Sequence, residues 1–287
     1  MAQEIWSIGR IIKWTESYFM EKGIEAPRLD AEVLLSHVLK KERIHLYVHF
    51  DEPLETAELA EYRELVKRRV QHVPVAYLTG HREFMGLDFE VTPDVLIPRP
   101  ETELLVQTAI EGLRAVEGEK RFADIGTGSG AICLSVLHYV PEVMCETVDI
   151  SAEALKVAEK NAENLGVSDR IEFRHGDLLG PLKGRRFHAV LSNPPYIPNG
   201  DIGGLAPEVR DAEPRLALDG GPEGLDFYRR LTKEAPDYLE TGGFLAMEIG
   251  INQAQPVCHM LEAEGWMSKI EVYKDLAGIE RVAVAWK

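Results

Sequence analysis

The chain has 287 residues, 45% of them apolar, 28% charged and 8% aromatic, values of ordinary soluble globular proteins and not of disordered, collagen-like or coiled-coil chains. Its 32 basic residues against 48 acidic ones leave a formal charge of −16, which repels a phosphate backbone and disfavours direct nucleic-acid binding. No apolar run approaches the ~18 residues that cross a bilayer, so no membrane association is expected.

The opening MAQEIWSIGR carries Glu4 ahead of any long apolar stretch and has neither a secretory core nor the acid-poor character of a transit peptide, so a cytoplasmic location is expected. Cys133, Cys145 and Cys258 stand far apart without a C-x-x-C spacing and are expected to be small core residues. The nine histidines are read as solvated or core side chains, and no metal ligands are expected.

From Ile5 to Phe19 the apolar residues Ile5, Ile8, Ile11, Ile12 and Phe19 recur at helical spacing, and Gly23 supplies a stop. Further helices are expected at about Leu29 to Leu39, Arg43 to His49 and Thr56 to Gln71, punctuated by Pro27 and Pro53. Lys67-Arg68-Arg69, the one basic run, is expected to form a solvated helix face. Residues 1–73 thus read as a helical domain with only 12 basic and 16 acidic side chains in the first 90 residues, a candidate docking surface. Phe84, Leu87, Phe89 and Val91 then follow strand spacing, so 74–93 reads as a hairpin linker. After a helix at about Thr102 to Glu117, strand-like and helix-like segments alternate from RFADIG to FHAVLSNPPY and on through GGFLAMEIG. That alternation predicts an α/β domain over 94–287, with a mostly parallel sheet covered by helices on both faces.

Four constellations in this second domain carry chemistry. Phe122-Ala-Asp124-Ile-Gly126-Thr127-Gly128-Ser129-Gly130 is a strand running into a glycine turn and a helix, where a ligand can approach backbone without meeting a Cβ. The same glycines also satisfy a dinucleotide pattern, so the turn alone leaves the ligand open. Asp149 ends the next strand, 23 residues after Gly126, where a carboxylate can accept from two ribose hydroxyls. Asp177 ends the third strand, and its carboxylate is a candidate for an adenine amino group.

Asn193-Pro194-Pro195-Tyr196 follows the strand HAVLS at the carboxyl edge of the sheet. A planar NH₂ group has two donors, and this motif offers two acceptors, the Asn193 side-chain oxygen and a backbone carbonyl of the proline pair. The prolines add no competing N–H, and the Tyr196 ring can wall the planar group from one side. Such an arrangement suits methylation of an amide or amino nitrogen. Upstream, Pro98-Arg99-Pro100-Glu101 holds two charged side chains on stiffened backbone, so Arg99 and Glu101 are expected near the site, unless Glu101 and Glu103 only serve the start of the next helix.

In combination, Asp124-x-Gly126-x-Gly128-x-Gly130, Asp149, Asp177 and Asn-Pro-Pro-Tyr resemble the class I S-adenosylmethionine methyltransferases. The details are similar to the release factor glutamine methyltransferases (HemK/PrmC): Ile97-Pro-Arg99-Pro-Glu101-Thr-Glu103, Glu213-Pro214 with Leu218-Asp219-Gly220-Gly221, Glu248-Ile-Gly250 with Gln253, and Asp275-Leu-Ala-Gly278 with Arg281. The resemblance implies a Rossmann-like, mostly parallel seven-stranded sheet preceded by a small helical substrate-docking domain. It implies contacts to S-adenosylmethionine from Asp124, the Gly126–Gly130 turn, Asp149, Asp177, Leu178 and Asn193. Leu178 stands where family members often carry an aromatic residue, so aliphatic adenine packing is expected. Asn193, Pro194 and Tyr196 are the expected catalytic residues, and Pro195, Arg99 and Glu101 join them in holding substrate. That substrate, by resemblance, is the glutamine of the Gly-Gly-Gln loop of class I peptide chain release factors, methylated at N5 by a monomeric enzyme. A ribosomal-protein glutamine, or an adenine or cytosine amino group, would satisfy the same motif. The segment Ile197 to Glu223 is long and rich in glycine and proline, and is expected to shape the glutamine pocket.

Overall fold

The computed structural model describes residues 6–287, so Ile5, the first residue of the predicted opening helix, lies outside the described residues. The chain divides into two compact units: one runs up to Gly80 and includes Ala206–Ala212, the other comprises His81–Leu205 and Glu213–Lys287.

The first unit is helical, with α1 (Ile8–Glu21), α2 (Pro27–Leu39), α3 (Arg43–Val48), α4 (Thr56–Val70) and α5 (Val75–Thr79). Ile8, Ile11, Ile12 and Phe19 fall on one side of α1 and are buried with Leu34 and Leu35 of α2, Leu46 and Tyr62. Pro27 opens α2 at a position where its missing N–H costs nothing. Glu58 accepts the Glu55 N–H at 2.7 Å and closes the start of α4.

Two expectations change here. Residues 75–79 are a single helical turn, stopped by Gly80 at φ 79°, and the hairpin begins only after it. Five residues are too few to display a helical period. Arg69, expected in a solvated basic run, is 5% exposed. Its guanidinium meets Asp30 of α2 at 2.7 Å and Glu208 at 2.7 Å, so the charge is buried with two carboxylates, as a buried charge requires. Glu208 belongs to α9 (Pro207–Arg210), within Ala206–Ala212.

The second unit opens with the hairpin β1 (His81–Phe84) and β2 (Leu87–Glu90), then α6 (Glu103–Arg114). Strands β3 (Lys120–Ile125), β4 (Val143–Asp149), β5 (Ile171–His175), β6 (Phe187–Ser192), β7 (Leu239–Glu248), β8 (Lys269–Lys274) and β9 (Glu280–Trp286) form one sheet in the order β5-β4-β3-β6-β7-β9-β8. The first five are parallel, and β9 is antiparallel to both its neighbours. Helices α7 (Ala131–Tyr139), α8 (Ala152–Leu165), α10 (Asp226–Glu234) and α11 (Ala254–Glu264) complete the unit, and two apolar cores pack on the sheet. Nearly every residue of β3, β4 and β6 is buried, as parallel strands covered on both faces require.

After β3 the chain builds β4 and β5 on one side and returns to place β6 on the other. The carboxyl ends of β3 and β6 therefore flank a topological switch point, where open α/β sheets take their ligands. Asn161 of α8, wholly buried, fastens the hairpin to the glycine turn: it accepts the Glu90 N–H at 2.8 Å and donates to the carbonyls of Glu90 and Ser129 at 2.9 Å. Among the described residues, no helix is long and apolar enough to cross a membrane.

Candidate functional site

A cavity of about 420 Å³ opens at the carboxyl ends of β3, β4, β5 and β6. Each strand delivers one predicted group to it: Gly126–Ser129, Asp149, Asp177 with Leu178, and Asn193–Pro195; Ile150, which sequence did not single out, lines it beside Asp149. Gly126, Gly128 and Gly130 all adopt positive φ, at 84°, 54° and 83°. At Gly130 a Cβ would also lie 2.7 Å from the Leu134 side chain, so glycine is required twice over.

The turn is tied to Asp149. One carboxylate oxygen accepts the Gly128 N–H and the other the Ser151 N–H, both at 2.8 Å. Each oxygen keeps a lone pair, so the group can still accept from two hydroxyls of a ligand. The Asp177 carboxylate is held by both terminal nitrogens of Arg230, at 3.1 and 2.8 Å, a pairing that sequence reasoning did not anticipate. Leu178 beside it sits at φ 46° and lines the wall.

Asp124 does not line the cavity. It is 0% exposed beneath the turn, and its Oδ1 has no hydrogen-bond partner. Burial pushes its carboxyl up to about 7; bonding from Cys133 and Thr147 opposes the shift and the Asp149 charge adds to it. Glu248, at the end of β7, is likewise pushed up to about 7 by burial. Burial favours the neutral form of both carboxyls more in the folded chain than in the unfolded one. As pH rises from about 4 towards 7 the unfolded chain therefore ionises first and is stabilised, and native stability falls; above 7 the penalty is constant. For Asp124 the full penalty is on the order of 4 kcal/mol at most. Urea unfolding from pH 4.5 to 8 should show this decline, and Asp124→Asn should remove about half of it, the share of Glu248 remaining; an unchanged slope in the variant would place the cause elsewhere.

At the end of β6, Asn193 donates from Nδ2 to the Thr102 hydroxyl at 3.2 Å, and Thr102 in turn donates to Glu248 Oε2 at 2.6 Å. Tyr196, expected to wall the substrate, does not line the cavity; its hydroxyl points instead towards the other oxygen of Glu248, 3.4 Å away. Thr102 and Glu248 were visible in sequence only within longer family-like blocks, because nothing in their spacing shows that α6 and β7 bring them to Asn193. The motif's backbone is held from behind. Gln253 Nε2 donates to the Tyr196 carbonyl at 2.9 Å, and a Cβ on Gly220 would lie 2.8 Å from both the Pro195 carbonyl oxygen and Tyr196 Cα.

Arg99 lines the cavity and pairs with buried Glu213, whereas Glu101 is exposed and outside the lining, although its charge is felt at Tyr196 and Glu248. The long segment after the motif folds back on itself: Ile197 N–H bonds to the Leu218 carbonyl at 3.0 Å and Gly220 N–H to the Ile197 carbonyl at 2.9 Å. Its residues Pro214, Leu216 and Ala217 then reach the cavity. Asp94, Asp149 and Asp177 line the space, and the two guanidinium groups there, Arg99 and Arg230, are already ion-paired. Such a lining favours a cationic ligand over a polyphosphate.

Away from the cavity, His45 and His49 stand one turn apart on and just after α3, and with Glu52 they place three potential ligand atoms within 4.8 Å of one another. His45 and Glu52 already form an ion-pair contact at 3.4 Å when the imidazole is protonated.

Comparison with known proteins identifies the family. The family model described as PrmC N-terminal domain matches residues 10–80, and that described as Methyltransferase small domain matches 100–220. The chain is 46% identical over 279 residues, 97% of its length and 96% of the relative's, to the release factor glutamine methyltransferase of Geobacter sulfurreducens. It is also 46% identical over 265 residues to that of Moorella thermoacetica, covering 92% of this chain and 93% of the relative. In fold it is similar to a methyltransferase from Pyrococcus furiosus, with a TM-score of 0.52 at 17% identity over 81% of this chain and 99% of that one.

Proposed function

Since the chain belongs to the release factor glutamine methyltransferases, we propose that it transfers a methyl group from S-adenosylmethionine to the side-chain N5 of the glutamine in the Gly-Gly-Gln loop of class I peptide chain release factors. One observation carries the assignment of residues: Asn193 lines the cavity with its Nδ2 already given to Thr102, which leaves Oδ1 as the acceptor for an incoming amide.

S-adenosylmethionine supplies a methyl group on a sulfonium, a leaving group that needs no acid. The protein's task is the nucleophile, because a carboxamide nitrogen has its lone pair drawn into the carbonyl. Asn193 Oδ1 and the Pro194 carbonyl accept its two N–H bonds, orient the nitrogen in line with the methyl carbon and polarise it towards attack. Asp149 takes the ribose hydroxyls on its remaining lone pairs, while Ile150 and Leu178 pack the adenine with aliphatic surface. No ionisable side chain of the lining stands free as a base beside Asn193, so the proton leaves to water after transfer.

The helical unit suits docking of a protein partner. Ile44, Tyr47 and Val48 of α3 are 64%, 50% and 70% exposed, an apolar surface on a module close to neutral.

Incubating a class I release factor with the enzyme and S-adenosylmethionine, then sequencing its peptides by mass spectrometry, tests the whole reading. The expected result is one added methylene on the Gly-Gly-Gln glutamine. A release factor left unmodified, beside a methylated ribosomal protein or nucleic acid, would overturn it.

A further inference from the structure

Asn193 does not choose its own orientation. An amide side chain looks nearly the same with oxygen and nitrogen exchanged, so its neighbours decide which end faces a ligand. Here the neighbour is a hydroxyl, and a hydroxyl carries a single proton. Thr102 Oγ1 lies 2.6 Å from Glu248 Oε2 and 3.2 Å from Asn193 Nδ2. An ionised carboxylate only accepts, so the Thr102 proton must go to Glu248. The hydroxyl is then left with lone pairs alone for Asn193, which must turn its NH₂ inward and its Oδ1 towards the substrate.

Protonating Glu248 reverses that chain. The added proton goes to Oε2, where Thr102 waits at 2.6 Å, rather than to Oε1, whose hydroxyl neighbour Tyr196 is at 3.4 Å, beyond ordinary O–H···O range. Thr102 now receives from Glu248 and spends its own proton on Asn193. The amide gains by turning its oxygen inward, and its NH₂ then confronts the NH₂ of the target glutamine, donor against donor. We propose that Glu248 is a positioning residue acting through Thr102, and that methyl transfer requires it as a carboxylate so that Asn193 presents its oxygen. This rests on the reading that Asn193 Oδ1 accepts from the target amide.

The groups around Glu248 poise it for such a change. It is 1% exposed. Burial raises its carboxyl to about 7, the Thr102 bond and the charge of Arg281 on β9 oppose the shift, Glu101 adds to it, and the Tyr196 hydroxyl opposes it weakly. Arg281 is itself engaged by Asp275 at 3.0 Å, and Tyr228 of α10 spends its hydroxyl on the Glu248 backbone carbonyl at 2.9 Å, so neither replaces Thr102 as a side-chain partner.

The test is the pH profile of kcat at saturating S-adenosylmethionine, read beside cofactor affinity. In the wild-type protein kcat should fall about tenfold per pH unit below a single-proton midpoint, while cofactor affinity stays level. Thr102→Ser keeps the hydroxyl and should keep both the plateau and the acid limb. Thr102→Val keeps the shape and cuts the relay: kcat should drop about tenfold at the plateau, the acid limb should disappear, and cofactor affinity should not move. A wild-type profile flat to pH 5.5, a measurement that needs no variant, overturns the proposal, as does a Thr102→Val enzyme with an undiminished acid limb. Asn193→Ala assayed alongside separates the two levels. If it is impaired while Thr102→Val behaves as wild type, only the relay fails; if it is unimpaired, the reading beneath fails.

Discussion

Asn193→Ala is expected to slow methyl transfer by on the order of 10²–10³ at saturating cofactor, the usual loss when one preorganised hydrogen-bonding group is removed from a reacting centre. The substitution removes the acceptor for one N–H of the target amide and leaves the second, the Pro194 carbonyl, in place on backbone that Gln253 and Gly220 hold from behind. The glutamine can still enter, but it is free to rotate about the surviving bond. The loss should therefore fall on kcat, with cofactor affinity changed little, because Asp149 and the glycine turn are untouched. Asn193→Asp is the sharper probe. A carboxylate accepts as well as an amide oxygen does, but it has no N–H for Thr102, which already serves Glu248. It would also set a second carboxylate close to Glu248, raising both towards protonation. We expect poor transfer, with cofactor binding tightened by negative charge near the sulfonium only at a pH high enough to ionise the new carboxyl. If Asn193→Ala methylates a release factor at the wild-type rate under saturating cofactor, the motif is a structural turn and amide methylation through it must be abandoned.

How much of this was legible in the sequence depends on whether a signal was local. The glycine turn, Asp149 and Asn-Pro-Pro-Tyr announce themselves because each sits at the end of a strand and each needs a particular residue type for a backbone or acceptor reason. Strand ends converge in any doubly wound sheet, so the topology turns separate local signals into one cavity. The groups that orient them gave no such signal. Thr102 reads as an ordinary helix start and Glu248 as the end of a strand, and 146 residues separate the two ends of their hydrogen bond. Arg69 misled for the opposite reason. Three consecutive basic residues on a helix normally face water, but successive helical positions lie about 100° apart, so one of three can turn inward. Arg69 does, because Asp30 and Glu208 are there to receive it. Asp124 belongs to the glycine-turn pattern, which implies a ligand contact, yet a residue inside a parallel strand points into one of the two packed faces. Its role is to sit under the turn, not to touch what the turn holds.

Asp149 carries the second large expected effect, and the structure changes what its loss should mean. Hydrogen bonds to a charged group are worth roughly 1.5–3 kcal/mol each, so removing both ribose acceptors in Asp149→Ala should weaken cofactor binding by about 10²–10⁴. The same carboxylate also holds Gly128 N–H and Ser151 N–H, both at 2.8 Å, so alanine would loosen the turn as well as unbind the sugar. Calorimetry on the variant alone cannot apportion these two losses. A cycle with 2′-deoxy and 3′-deoxy analogues of the cofactor product can, because deleting a ribose hydroxyl removes the ligand's half of a bond without touching the turn. The intact protein should discriminate against each deoxy analogue by about tenfold or more, as one lost bond to a carboxylate requires. In Asp149→Ala that discrimination should vanish, while a further uniform loss, equal for all three ligands, measures the loosened turn. Discrimination that persists in the folded variant, or affinity that does not fall at all, would remove Asp149 from the ribose and leave it only as the brace of the glycine turn.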